Sequence, residues 1–250
     1  MLTLYSFGPA ANSLKPLLAL YEKGLEFTPR FVDPTRFEHH EDWFKKINPR
    51  GQVPALDHDG HIITESTVIC EYLEDAFPDA LKLRPTDPVE IAEMRVWTKW
   101  VDEYFCWCVS TLGWERGIGP MARALSDEEF EAKVARIPIP EQRTKWRTAR
   151  AGFPKDVLEE EMRKIRVSVD RLERRLSEST WLVGEQFTLA DVCNFAIANG
   201  MQNGFAEIVN REATPHLVDW IDRINDRPGC RKMFANSKSE FGDRGRKVTV

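Results

Sequence analysis

An α/β domain with a mixed sheet, joined to an all-helical region, is the architecture this 250-residue sequence predicts. Three observations carry the prediction. Strand-like and helix-like stretches alternate through the first third of the chain. Asp59-Gly60 stands between two apolar runs, a strong hairpin signal. Beyond Asp87-Pro88, apolar residues recur at three- and four-residue spacing, the period of a helix with a buried face. The order βαβ-α-ββα implies a mixed sheet, because parallel neighbours need a helical crossover and a hairpin makes antiparallel ones.

Residues 2–7 are strand-like. Residues 13–23 form a helix, with Pro16 in its first turn and Gly24 as its stop signal. A second strand covers 26–32, and 33–49 is a polar loop with one short helix near 41–46. The hairpin pairs 55–58 with 61–64, and a helix follows over 67–76. Pro78 and Pro85 mark 77–87 as a linker, so the domains are expected at 1–78 and 88–239. Asp87 is an N-cap with Pro88 at the first helical position, and that helix is expected to reach residue 112.

Along it, Ile91, Met94, Trp97, Val101, Tyr104, Cys108 and Leu112 make one apolar stripe. Trp100, Trp107 and Trp114 make a second, which implies a ligand pocket or a partner subunit on one face. A Gly-rich break is read at 113–120. Ser126 and Glu129 form a capping box for a helix that Pro138 and Pro140 end. Residues 153–177 are helical, Thr188 to Asp191 caps an apolar helix to Gly204, and Thr214-Pro215 opens another that ends near Arg227-Pro228. The chain turns polar from Lys238, and 240–250 is expected to be a disordered tail.

A net charge of −5 argues against generic nucleic-acid binding, and no apolar run approaches the roughly 20 residues of a membrane span. The N-terminus runs straight into a strand pattern with no secretory signal, so a cytoplasmic protein is expected. The five cysteines, Cys70, Cys106, Cys108, Cys193 and Cys230, lack disulfide or metal spacing and read as core thiols. No metal site is expected. His39 and His40 are adjacent and should diverge, and no acidic cluster completes a ligand set. Asp102-Glu103 and Glu159-Glu160-Glu161 read as solvating charge on helix faces.

The candidate site gathers at the hairpin. Val53-Pro54 precedes the first hairpin strand, where a proline disfavours ladder pairing and favours a turn. The Val53 N–H and C=O are then free to pair with an incoming extended peptide. Glu65-Ser66 opens a helix, whose unpaired N–H groups attract a carboxylate. Ser66 would hold that carboxylate and Glu65 an amine; the alternative is a plain Ser N-cap. Folding brings Val53 and Ser66 to one sheet edge, the geometry needed to bind glutathione. Ser13, where the first helix starts, could donate to a thiolate, with Asn12 able to share or replace it; here too a simple N-cap is the alternative. Lowering a thiol of pKa about 8.5 by two units needs about 2.7 kcal/mol, within reach of one charge-assisted bond plus a helix end. His40 is the first choice for a second carboxylate, with Lys45, Arg50 and Gln52 as alternatives.

These residues resemble the glutathione S-transferases. Gln52-Val53-Pro54 and Glu65-Ser66 match the glutathione-site motifs of that family, Ser13 its serine position, and Thr188 to Asp191 the capping box of its core helix. Stretches 5–9, 103–108, 113–120 and 194–203 look closer still to the bacterial glutathione-dependent β-etherases of lignin catabolism, of the type that cleaves βS ethers. The likeness covers residues 1 to 239. It implies a thioredoxin-like N-terminal domain, an all-helical C-terminal domain, glutathione as co-substrate and a homodimer. It also implies thiolate attack on Cβ of an α-keto β-aryl ether, releasing a phenol. The aromatic substrate would lie against Tyr104, Trp107, Cys108 and Thr111, with 113–120 as a cover. The alternatives are a general detoxifying transferase and a non-catalytic binding module of the same fold.

Overall fold

A computed structural model of the chain describes residues 1–241. Strand β1 (Leu2–Ser6) pairs in parallel with β2 (Thr28–Phe31) across the crossover helix α1 (Ala11–Glu22). On its other side β1 pairs antiparallel with β3 (Ala55–His58), which turns into β4 (His61–Thr64). The order is β2-β1-β3-β4, the expected mixed sheet. The turn has φ of 51° at Asp59 and 87° at Gly60, the left-handed pair that a two-residue hairpin of this twist demands. Helix α3 (Ser66–Ala76) follows, and α1 packs against it over a core that includes Leu4, Leu17, Leu56 and Ile69.

Helix α1 starts two residues earlier than its sequence signals suggest. Ala10 is the N-cap, without a side-chain bond, and Ala11 has φ of 42°. Ser13 is therefore inside the helix and is not its cap. Pro16 falls in the second turn, where its missing N–H cannot bond the Asn12 carbonyl.

The expected break at 113–120 is absent. Residues 88–123 form one helical rod: α4 (Pro88–Trp100), a π-turn (Val101–Phe105), α5 (Cys106–Gly113), a second π-turn (Trp114–Ile118) and α6 (Gly119–Arg123). Gly119 serves close packing, since a Cβ there would lie 2.8 Å from the Ala149 carbonyl oxygen. Each π-turn also rotates the faces that follow it. Trp100 accordingly leaves the stripe it was expected to share and lies with Trp97 under the Arg171 guanidinium. Trp107 and Trp114 instead meet Lys145.

The remaining helices are α7 (Asp127–Ala135), α8 (Pro140–Ala151), α9 (Lys155–Glu178), α10 (Leu189–Ala198), α11 (Met201–Gly204), α12 (Pro215–Asn225) and α13 (Pro228–Phe241). Pro140 and Pro228, read as stops, are starts: each opens a helix, where an N–H is not needed. Because α13 runs to Phe241, residues 238–241 are helical and not tail; the rest of the expected tail, 242–250, lies outside the described residues. The capping boxes at Ser126 and Thr188 form as expected. All of α10 is buried, and its Asp191 accepts from the Leu182 and Thr188 N–H groups and from Trp220 Nε1 at 2.9–3.0 Å. Burial pushes that carboxyl up to about 6 against these bonds.

Two buried lysines tie the layers together. Lys23 bonds Glu74 at 2.7 Å and the Leu81 carbonyl at 2.9 Å, pinning the linker. Lys15 bonds Asp102, whose other oxygen accepts from Thr67 at 2.5 Å. Asp102 is thus a clamp between domains and not a solvating charge, because the π-turn aims it at α1 and α3. Nor is 33–49 a solvated loop. Besides α2 (Asp42–Lys45) it holds two 3₁₀ turns, and Phe37 between them is buried against Ala122, Phe130, Val134, Ile137 and Trp146.

Candidate active site

The site forms where β3 begins and where α1 and α3 begin. The Val53–Pro54 peptide bond is cis, and Val53 precedes the ladder, whose first β3 partner is Ala55. Among the described residues neither its N–H nor its C=O has a backbone partner. Asn48 holds the approach from behind, donating to the Gln52 carbonyl at 2.7 Å and accepting from the Arg50 N–H. Half-buried Val53 therefore offers a free main-chain edge on a fixed turn.

Glu65 is the N-cap of α3, at φ of 67°, and makes no capping bond. A non-glycine residue there stores roughly 1–3 kcal/mol of strain, a cost concentrated at functional sites. The uncapped helix start leaves N–H groups facing outward beside the Ser66 hydroxyl, which has no partner among the described residues. Arg50 Nε lies 3.9 Å from Glu65 Oε1 and 3.4 Å from Gln52 Oε1. The hairpin thus brings Gln52, Val53, Pro54, Glu65 and Ser66 together with Arg50. Opposite charges at Arg50 and Glu65 flank the free edge.

Asn12 and Ser13 lie at the other end. Ser13 is fully buried and its Oγ has no hydrogen-bond partner. Asn12 is half-buried, and its Oδ1 accepts from the Cys106 thiol at 3.7 Å. Ala11, at φ of 42°, makes the turn in front of them strained. The Asp102 clamp acts through Lys15 and Thr67, each within two residues of a site serine, and so fixes the spacing of the α1 and α3 tips.

His39 and His40 do not diverge. Their ring centroids are 3.8 Å apart, because a 3₁₀ turn under Phe37 folds both inward. His40 is buried behind Gly51, where a Cβ would meet its Nδ1 at 2.6 Å. Burial first, then the neighbouring His39 and Arg136, holds His40 down at about 3; burial and Arg136 hold His39 at about 4. Both rings are neutral near pH 7. Lys45 pairs with Asp42 at 3.0 Å.

Of the four expected pocket residues, Tyr104, Trp107 and Thr111 stay accessible and Cys108 does not. Trp107 is 55% exposed, and Tyr104 and Thr111 are half-buried. Cys108 is a core thiol bonded to the Phe105 carbonyl, and burial pushes it up to about 11, so it cannot line an open pocket. The spacing of the stripe already puts Cys108 on the core face, beside Val101 and Leu112. Asp102 and Lys145, both central here, carry no signal in the sequence.

A thioredoxin-like sheet with a peptide-pairing edge, an uncapped helix tip beside it and a helical domain behind it defines a thiol-peptide transferase architecture. The model for "Glutathione S-transferase, N-terminal domain" matches residues 1–75, and that for the "C-terminal domain" matches 123–228. The chain belongs to the glutathione S-transferase family. It is 64% identical to Protein LigF of Sphingobium sp. strain SYK-6 over 244 residues, covering 96% of this chain and 95% of that one. The crystal structure of β-etherase LigF from that strain superposes with a TM-score of 0.92, over 94% of this chain and 99% of that one. Glutathione S-transferase GstA of Escherichia coli O157:H7 is 27% identical over 89% of this chain and 92% of its own.

Proposed function

We propose that the chain is a β-etherase that cleaves the β-aryl ether bond of lignin-derived α-keto β-aryl ethers with glutathione. The 64% identity to LigF over nearly the full length of both proteins carries this reading. Glutathione extends along Val53, its γ-glutamyl carboxylate on the Ser66 hydroxyl and the α3 tip, its ammonium at Glu65. Arg50 and Gln52 reach the glycine carboxylate, and His40 supports the loop as a neutral donor. Three charge-matched anchors and two main-chain bonds leave the sulfur aimed at the α1 tip.

There the α1 N–H groups, Asn12 and Ser13 stabilise the thiolate. Ser13 is closed off from solvent, so sulfur reaches it by displacing the strained turn at residues 8–11; otherwise Asn12 carries the role. The sulfur lone pair attacks Cβ from the face opposite the aryl oxygen. The Cβ–O bond breaks, its electrons leave on the phenolate, and a glutathione thioether of inverted Cβ remains. The neighbouring carbonyl activates Cβ, so the protein needs only to ionise, align and stabilise the departing charge. The aryl groups lie in the cleft against Trp107, Tyr104 and Thr111.

A two-fold homodimer fits the exposed Val68 on α3 and Val96 on α4, and unpaired thiols suit a reducing cytoplasm. The deciding assay supplies racemic β-guaiacyl ketone and glutathione to the purified protein. Guaiacol and one thioether stereoisomer should appear in equal amounts. Brisk turnover of chlorodinitrobenzene without guaiacol would make the chain a general detoxifying transferase, and tight glutathione binding without any thioether a carrier module.

A further inference from the structure

The reaction proposed above must place negative charge on a departing aryl oxygen, and none of the residues assigned so far supplies a proton to it. One ammonium beside α5 is suited to that role. Lys145 Nζ lies 4.6 Å from the Trp114 ring centroid and 5.3 Å from that of Trp107, and donates to Ser110 Oγ at 3.0 Å. Among the described residues it forms no ion pair.

Its place follows from packing. Gly119 lets α8 approach the rod until Ala149, one turn past Lys145, touches it. Trp107 and Trp114, seven residues apart across the regular turns of α5, point to the same side. On α5, Cys106 and Ser110 are four residues apart and share a face. Cys106 contacts Asn12 at the thiol end, and Ser110 holds Lys145. Cys106 and Ser110 are therefore about 6 Å apart along the helix axis, so one face of α5 carries both the thiol end and the lysine.

We propose that Lys145 is the catalytic acid of the ether cleavage: its ammonium, caged by Trp107, Trp114 and Ser110, protonates the departing phenolate oxygen. This rests on the β-etherase reading. The sulfur lone pair forms the S–Cβ bond, the Cβ–O pair moves to the aryl oxygen, and one Nζ proton follows it. The neutral amine then regains a proton from water. Desolvation lowers Lys145 to about 8, against the Cys106 thiol and Glu161, which favour the charge. Glu161 on α9 is itself paired with Lys164, and Trp107, Ser110 and Trp114 are the neutral groups that face the ammonium. An acid in that range keeps its proton at neutral pH and can still give it up.

The test is a leaving-group series: α-keto ethers of phenols from nitrophenol to guaiacol, run with wild type, Lys145→Met and Lys145→Arg. With guaiacol the methionine variant should lose on the order of 10²–10⁴-fold in kcat, the usual worth of a general acid. With nitrophenol, which leaves unaided, it should lose less than about threefold, so its rates depend more steeply on phenol acidity. Arginine keeps the cation and its ring contacts but holds its proton too tightly, so it should recover only part of the guaiacol rate. Calorimetric glutathione affinity should match wild type in both variants, and the alkaline fall of wild-type kcat near pH 8 should vanish in Lys145→Met. Equal losses for every phenol, or none, overturn the assignment of Lys145. Failure of wild type to release any phenol overturns the β-etherase reading instead.

Discussion

Replacing Ser13 with alanine removes a hydroxyl that is wholly buried and unpartnered. An unsatisfied buried polar group costs about 1–3 kcal/mol, so the variant should be more stable than wild type by up to that amount. For a chain of this size each kcal/mol moves the melting temperature about 2–4 °C. The same hydroxyl, if it donates to the bound thiolate, supplies about 1.5–3 kcal/mol as a bond to a charged group. Losing it should raise the kinetic pKa by about 1–2 units. The rate one unit below the wild-type pKa should then fall about 10- to 100-fold, while rates converge at a pH above both values. Thermal melts and a pH profile of kcat/KM on one preparation read both effects. A higher melting temperature with an unshifted profile moves the thiolate role to Asn12 and the α1 backbone. A lower melting temperature refutes the unpartnered hydroxyl itself.

Ser66→Ala should weaken glutathione binding by about 1–3 kcal/mol with little change in kcat, read by calorimetry and saturation kinetics; an unchanged affinity removes Ser66 from the carboxylate site. Asp102→Ala leaves Lys15 buried without its carboxylate. Breaking a buried pair costs about 3–5 kcal/mol, but the Asp102 side chain is 38% exposed and water can replace it, so about 2–3 kcal/mol is expected in urea unfolding. A loss below about 0.5 kcal/mol would show that the clamp does not hold the domains. His39 and His40 have folded pKa values of about 4 and about 3, below the unfolded value near 6.5. Their contribution is complete above pH 6.5 and is lost as pH falls from there toward those values, at up to about 2.7 kcal/mol per pH unit. Asp191, raised to about 6, opposes this by one proton, so the readout is wild type against a His39→Gln, His40→Gln double variant. Equal acid slopes in the two proteins would mean the rings are not buried neutral.

The features legible in advance depend on neighbours within a few residues. Asp59-Gly60 dictates a left-handed turn wherever it sits, so the hairpin and its strand limits follow. The hairpin in turn brings Val53 beside Ser66, because its register extends back from the Ala55–Thr64 pair. Thr188 and Asp191 satisfy each other's helix end locally in the same way. Prolines are ambiguous on this scale: a missing N–H suits the end of one helix and the start of the next, and at Pro140 and Pro228 the second outcome holds.

Glycine misleads for a related reason. Gly119 reads as flexibility in the chain, yet it exists for a neighbour thirty residues away, the Ala149 carbonyl. That contact sets α8 against the rod, which puts Lys145 between two tryptophans. Asp102 likewise looks like one more charge on a helix until a π-turn points it at a buried lysine. Local torsional preferences and caps cost or gain about 1 kcal/mol within one or two turns, enough to set the sheet, most helices and the free edge at Val53. Where a charge is buried, which thiol reaches Asn12 and which cation sits between Trp107 and Trp114 depend on long-range packing, which no short stretch of residues encodes.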